Sequence, residues 1–149
     1  MSESTDQPGR AVVARARVCA EPISSAQHAD LVRGPDRGAV VTFSGIVRDH
    51  DHGRVVVHLE YSSHPSAGEV LKEIVEEAAA QDGVSAVAVS HRVGALEIGD
   101  EAFVVAVAAA HRGPAFQTCR WLVDEVKSRV PIWKRQSFAD GTHEWVNCP

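Results

Sequence analysis

Hydrophobic positions along this 149-residue chain recur at two distinct periods. Spacing of two marks strands and spacing of three to four marks helices. Residues 11–18 alternate weakly and predict an edge strand. Residues 22–32 carry Ile23, Ala26 and Leu31 at helical spacing, and Gly34-Pro35 stops them. Asp36-Arg37-Gly38 predicts a turn. Residues 39–48 are the clearest strand, with Val41, Phe43, Gly45 and Val47 on one face and Val40, Thr42, Ser44, Ile46 and Arg48 on the other. Asp49-His50-Asp51-His52-Gly53 predicts a solvated hairpin turn. Residues 55–61 follow as the partner strand, with Val55, Val57, Leu59 and Tyr61 sharing a face.

The second half repeats the alternation of element types. Ser66, with Glu69 three residues later, predicts a capping box opening a helix. Val70, Leu71, Ile74, Val75 and Ala78 make its buried stripe, and Asp82-Gly83 ends it. Residues 86–93 predict a strand, 94–99 a turn, and 101–109 a strand apolar on both faces, hence buried on both. A helix follows His111, with Pro114 in its first turn and an apolar stripe of Phe116, Cys119, Leu122, Val123, Val126 and Val130. Pro131 terminates it. Residues 132–136 are extended, and 137–145 read as a hairpin turning at Asp140-Gly141. This order predicts an α+β fold with a mainly antiparallel sheet. Residues 1–9 read as a disordered tail and 10–149 as a single domain.

Composition narrows the class. A hydrophobic share of 44% and a charged share of 23% are those of an ordinary soluble domain. No apolar run is long enough to span a bilayer, and the polar, acidic start lacks the apolar core of a signal peptide. Cys19, Cys119 and Cys148 are odd in number and far apart, which fits neither a disulfide framework nor a zinc site. A cytoplasmic setting is therefore expected. The net charge of -5 argues against nucleic-acid binding. The His-Asp-His-Gly loop is short and flexible, so no metal is expected there. Gly-rich phosphate loops and Gly-x-Ser-x-Gly elbows are absent from the sequence. Cys119 lies on the apolar stripe and reads as core rather than nucleophile.

Against that acidic background, residues 111–135 gather His111, Arg112, Arg120, Lys127, Arg129, Lys134 and Arg135. Such a cluster suggests an anionic ligand or an anionic transition state. On a helical wheel Lys127 falls at the border of the apolar stripe, beside Phe116 and Arg120. Lys134 lies on the extended piece beyond Pro131. The two lysines can enter one pocket from different elements. Alternatively, Lys127 snorkels along the core edge and Lys134 is a surface residue, which composition alone favours.

Four stretches, taken together and in order, carry a resemblance. They are Gly38-Ala39-Val40-Val41-Thr42-Phe43-Ser44-Gly45, Val47-Arg48, Ala110-His111-Arg112, and Lys127-Ser128-Arg129-Val130-Pro131-Ile132-Trp133-Lys134-Arg135. From about Gly38 to Val146 the chain resembles the large, catalytic subunit of molybdopterin synthase, the MoaE family. The resemblance implies an α/β-hammerhead type of fold. It implies a sulfurtransferase that inserts two sulfurs into cyclic pyranopterin monophosphate, forming the dithiolene of molybdopterin. Sulfur is then expected from the C-terminal thiocarboxylate of a small ubiquitin-like subunit ending in Gly-Gly. Large subunits are expected to pair as a dimer, with a small subunit at each outer end and no metal or organic cofactor.

By matching position, the resemblance marks Lys127 and Lys134 as catalytic. It marks Phe43, Ile46, Val47, Arg48, His111, Arg112, Arg135 and Gln136, with both lysines, as substrate-binding. The arginines suit forked hydrogen bonds to phosphate. His111 suits phosphate or proton transfer. Lys127 suits the acyl group of the tail or acid/base work, and Lys134 suits substrate charge and a developing oxyanion. The short end, Asn147-Cys148-Pro149, departs from relatives that continue as a basic tail. Two other readings are a non-catalytic module for a Gly-Gly tail and a general binder of small phosphates. The presence of both lysines favours the enzyme over the first.

Overall fold

The structure is a computed structural model and describes residues 11–147, so the expected tail of residues 1–9 and Cys148 lie outside the described residues. The elements run β1 (Val12–Cys19), α1 (Ser25–Val32), β2 (Ala39–Ile46), β3 (His50–Asp51), β4 (Arg54–Ser63), α2 (Ala67–Ala79), β5 (Val84–Arg92), β6 (Gly94–Leu96), β7 (Glu101–Ala109), α3 (Arg112–Arg129), β8 (Ile132–Phe138) and β9 (His143–Asn147).

One sheet has the order β1-β5-β7-β2, with β1 and β2 at its edges. Only the β1–β5 pairing in it is parallel. The doubly apolar pattern of β7 does what it predicts. Phe103, Val105 and Val107 join Val87 and Val89 against Leu71, Ile74 and Val75 of α2 and Leu122 and Val126 of α3. Ala106 and Ala108 join Ala86 and Ala88 on the other face, against Val32 of α1. Larger side chains on one face and alanines on the other let helices pack on both sides of one central strand. Gly38 begins the motif before β2 for a steric reason: a Cβ there would stand 2.7 Å from the carbonyl oxygen of Ala110.

The second sheet has the order β3-β4-β8-β9, with β6 also pairing to β4, and is antiparallel throughout. Val47, Leu59, Leu96 and Ala102 form a small apolar cluster of their own, with Tyr61 packed against it. The fold is thus α+β and mainly antiparallel, as expected.

Several local expectations are corrected. β2 pairs with β7, and the strand after the hairpin enters the second sheet. Val55 and Val57 are exposed while Val56 is buried, because the β4–β8 register slips between Val56 and His58. A bulge moves the following side chains to the other face. Ser66 makes no capping bond; its backbone N–H instead donates to His64 Nδ1 at 3.0 Å. The expected turn at 94–99 begins with strand β6. Phe116 is 60% exposed, and Ala115 and Thr118 are buried on α3 instead. Helix α1 starts later than expected, behind Ser24, whose hydroxyl accepts the Gln27 N–H at 3.2 Å. The hairpin between β3 and β4 turns at His52 (φ 51) and Gly53 (φ 78), the left-handed pair a two-residue turn between twisted strands demands.

Candidate functional site

A cavity of 270 Å³ opens where the two sheets and α3 meet. Strand β2 and the residues after it supply Phe43, Gly45, Ile46 and Arg48. Simple alternation would send Ile46 and Arg48 to the face opposite Phe43. The β2–β7 register slips at this point, with Gly45 opposite Phe103 and Ile46 opposite Glu101. Ala102 is the extra residue, and the break in alternation lets all four side-chain positions serve one cavity. Ala102 and Phe103 line it from β7, Tyr61 from β4 and His91 from β5.

The two lysines complete the wall. Lys127 lies in the last turn of α3, where cations complement the negative helix end. Pro131 breaks the chain away, so Lys134 returns on β8, directly opposite Tyr61 in the β4–β8 register. Both therefore reach one cavity from two elements. Neither ammonium has a hydrogen-bond or ion-pair partner among the described residues. Two such cations in one concave site, in a chain of net charge -5, make a focus for an anion.

Arg48 is tethered differently. Its Nη2 stands 3.3 Å from Asp51 Oδ1, and Gln136 Nε2 donates to Asp51 Oδ2 at 2.8 Å. The Gln136 hydrogen bond holds the Asp51 carboxyl below the usual carboxylate range despite partial desolvation, with smaller help from His52, Lys134 and Arg48.

The remaining expected site residues lie elsewhere. Val47 is buried in the cluster with Leu59, Leu96 and Ala102. Gln136 is buried and spends its amide on Asp51 and Glu144. Arg135 turns away from Lys134, with its guanidinium carbon 6.0 Å from the Trp145 ring centroid. His111 and Arg112 are exposed at the start of α3. Fifteen helical residues at about 1.5 Å each put Arg112 about 22 Å along the axis from Lys127. Lys127 also does not share a site with Phe116 and Arg120, which line a separate 340 Å³ cavity with Val41, Cys119 and Asp124. Burial there pushes the Cys119 thiol up to about 11, which keeps it protonated and inert.

His91, Tyr61, Ala102 and Phe103 were not singled out by sequence reasoning. The one available signal was a histidine inside an otherwise apolar, buried strand. Among the described residues no group of three or more His, Cys, Asp or Glu is arranged to hold a metal ion. No described helix is long and apolar enough to cross a membrane.

Comparison with known proteins adds an independent line. The family model described as "MoaE protein" matches residues 18–129. A molybdopterin synthase catalytic subunit from Thermoplasma volcanium is 38% identical over 115 residues, covering 76% of this chain and 84% of its own. The protein of the same description from Staphylococcus carnosus is 38% identical over 130 residues, covering 87% of this chain and 86% of its own. The crystal structure of molybdopterin synthase from Staphylococcus aureus superposes with a TM-score of 0.80 at 32% identity, over 88% of this chain and 96% of that one.

Proposed function

We infer the function from kinship and site together: the chain belongs to the MoaE family, and it acts as the catalytic subunit of molybdopterin synthase. It transfers sulfur from the C-terminal thiocarboxylate of a small ubiquitin-like subunit to cyclic pyranopterin monophosphate. The observation that carries this reading is the pair of ammonium groups, Lys127 and Lys134, in one cavity, neither with a hydrogen-bond or ion-pair partner among the described residues. Thiocarboxylate and phosphate are both anions, and both need cations held in a recess that water only partly fills.

The thiocarboxylate sulfur displaces an oxygen from the substrate carbon: the C–S bond forms as the C–O bond breaks, the oxygen leaves with a proton from the general acid, and a thioester joins tail and substrate. Water then cleaves the acyl–sulfur bond, leaving sulfur on the substrate and a carboxylate on the tail. Lys127 acts at the tail's acyl group or as acid/base. Lys134 holds substrate charge and stabilises the oxyanion that forms at the acyl carbon. Arg48 binds the phosphate edge of the substrate, oriented by Asp51. No metal or organic cofactor takes part, and the setting is cytoplasmic.

His111 and Arg112 fit this reading through assembly. On one chain they cannot meet Lys127, because a straight helix separates them. In a symmetric dimer the first turn of α3 from one copy completes the cavity of the other.

A reconstituted assay tests the function. Purified chain, thiocarboxylated small subunit and cyclic pterin precursor should yield the dithiolene product, with no added metal. Tail binding without product would favour the non-catalytic module instead. Precursor binding without any small-subunit interaction would favour a simple phosphate binder.

A further inference from the structure

His91 is only 1% exposed, yet it lines the same cavity as the two lysines. Three neighbours fix its ring. Phe103 stacks on it with centroids 5.4 Å apart at 22°, and Tyr61 meets it at 4.9 Å and 80°. Nδ1 lies 2.8 Å from the carbonyl oxygen of Arg92. A carbonyl only accepts, so Nδ1 carries the hydrogen and Nε2 keeps its lone pair. Burial, and after it the charge of Lys127, outweigh that hydrogen bond and lower His91 to about 4, so the ring is neutral at physiological pH.

The other polar ends lining the cavity are the Tyr61 hydroxyl, which can donate or accept, and Arg48, Lys127 and Lys134, which can only donate. A purely anionic ligand group has no use for an acceptor among them. A ligand whose anion stands next to an N–H does. The end of a peptide has that form: the terminal carboxyl-type group sits one carbon away from the last amide N–H. At 270 Å³ the cavity lies just below the usual range for small-molecule sites, roughly 300 Å³ and upward, which suits a slim, side-chain-free segment.

We propose that Nε2 of His91 accepts the backbone N–H of the terminal glycine of the small subunit's tail, and so sets which residue of the tail stands between Lys127 and Lys134. This rests on the function proposed above and names a recognition element of the same site. A single fixed acceptor gives register rather than bulk affinity, because an amide N–H buried without a partner is costly wherever the tail is out of step.

The test compares two thiocarboxylated partners. One ends in glycine. The other ends in glycolic acid, an ester link that removes only the N–H. Each is run against the wild-type chain, His91→Phe and His91→Gln, reading the single-turnover rate of sulfur transfer and the partner's affinity by calorimetry. The ester should slow the wild type about tenfold and leave affinity within about twofold. His91→Phe keeps the stacking and should lose about tenfold with the glycine partner, then nothing more with the ester. His91→Gln restores an acceptor near Nε2 and should recover part of the rate. Losses that multiply when the ester and His91→Phe are combined would overturn the proposal. Should His91→Phe fail to fold, an ester partner that reacts with wild type at the full rate overturns it alone. No product from wild type with the glycine partner is a different result, and it defeats the proposed function itself.

Discussion

Gln136 and Asp51 join across the second sheet: Gln136 Nε2 donates to Asp51 Oδ2 at 2.8 Å, and Asp51 Oδ1 faces Arg48 Nη2 at 3.3 Å. A buried amide on β8 thereby fixes a carboxylate on β3, and the carboxylate fixes a guanidinium at the cavity rim. Gln136 acts on Arg48 through Asp51 and does not line the cavity itself. The Arg48 side chain is 67% exposed, so the pair adds little stability. Its consequence is orientation, because an arginine held in place loses less freedom when it binds an anion.

Asp51→Ala should therefore raise KM for the phosphorylated precursor about three- to tenfold, with kcat within about twofold and Tm nearly unchanged. Steady-state kinetics with saturating small subunit decide it. An unaltered KM would show that Arg48 needs no tether.

Lys127→Ala should lower product formation by two orders of magnitude or more, the usual effect of losing a group that acts in the transition state. Lys127 is exposed and has no polar partner among the described residues, so the fold should survive within about 0.5 kcal/mol. Near-normal turnover by the folded variant, in the reconstituted assay, removes Lys127 from the chemistry.

What could be read from the chain follows from range. Period and breakers located the helices and strands because those depend on residues within a turn or two of each other. The doubly buried β7 was legible since both its faces are apolar in sequence. The bulges at Gly45/Ile46 and Val56/His58 were not, because a register slip depends on the partner strand. It was the first of these that brought Ile46 and Arg48 beside Phe43. Lys127 and Lys134 could be placed by a helix stop and a strand. His91 could not, since its role depends on Phe103, Tyr61 and the Arg92 carbonyl meeting it in space. The separation of Arg112 from Lys127 was implicit in the helix length, and family motif order hid it.

Arg112→Ala should weaken precursor binding more than docking of the small subunit, measured separately by calorimetry. It should also complement Lys127→Ala. If each cavity takes its first-turn residues from the other copy, a mixed dimer of the two variants has one site with both defects and one intact. Random mixing then restores about a quarter of wild-type activity, since half of the dimers are mixed and each has one good site of two. Absence of recovery in verified mixed dimers would place Arg112 outside the shared site.

Acid should destabilise the chain before the carboxylates titrate. His28 and His91 are both buried, and burial is the main cause lowering each. The unfolded chain binds protons at these groups near 6.5, whereas folded His91 resists until about 4. The unfolded state thus binds more protons in that window, so stability is complete above about 6.5 and falls as pH drops toward 4. His91 alone accounts for roughly 3 kcal/mol across it. Urea unfolding at pH 7, 5.5 and 4.5 should show the decline, and His91→Phe should show a shallower one. Equal slopes for the two would mean that other groups carry the effect.

Removing the last two glycines of the small subunit should leave its binding to this chain largely intact and end sulfur transfer. Ordering a flexible tail costs entropy, so most affinity must come from the folded body of the partner. On the proposed function the tail's contribution is to place one acyl group beside Lys127 and Lys134, where a misplacement of about 1 Å would cost on the order of a hundredfold in rate. Glycines serve because a backbone without side chains enters a cavity walled by Phe43, Tyr61 and Phe103 without steric cost. Light scattering after size exclusion should show two large and two small subunits with either form of the partner. A truncated partner that no longer binds would make the tail the main anchor, and the division between body for affinity and tail for chemistry would be wrong.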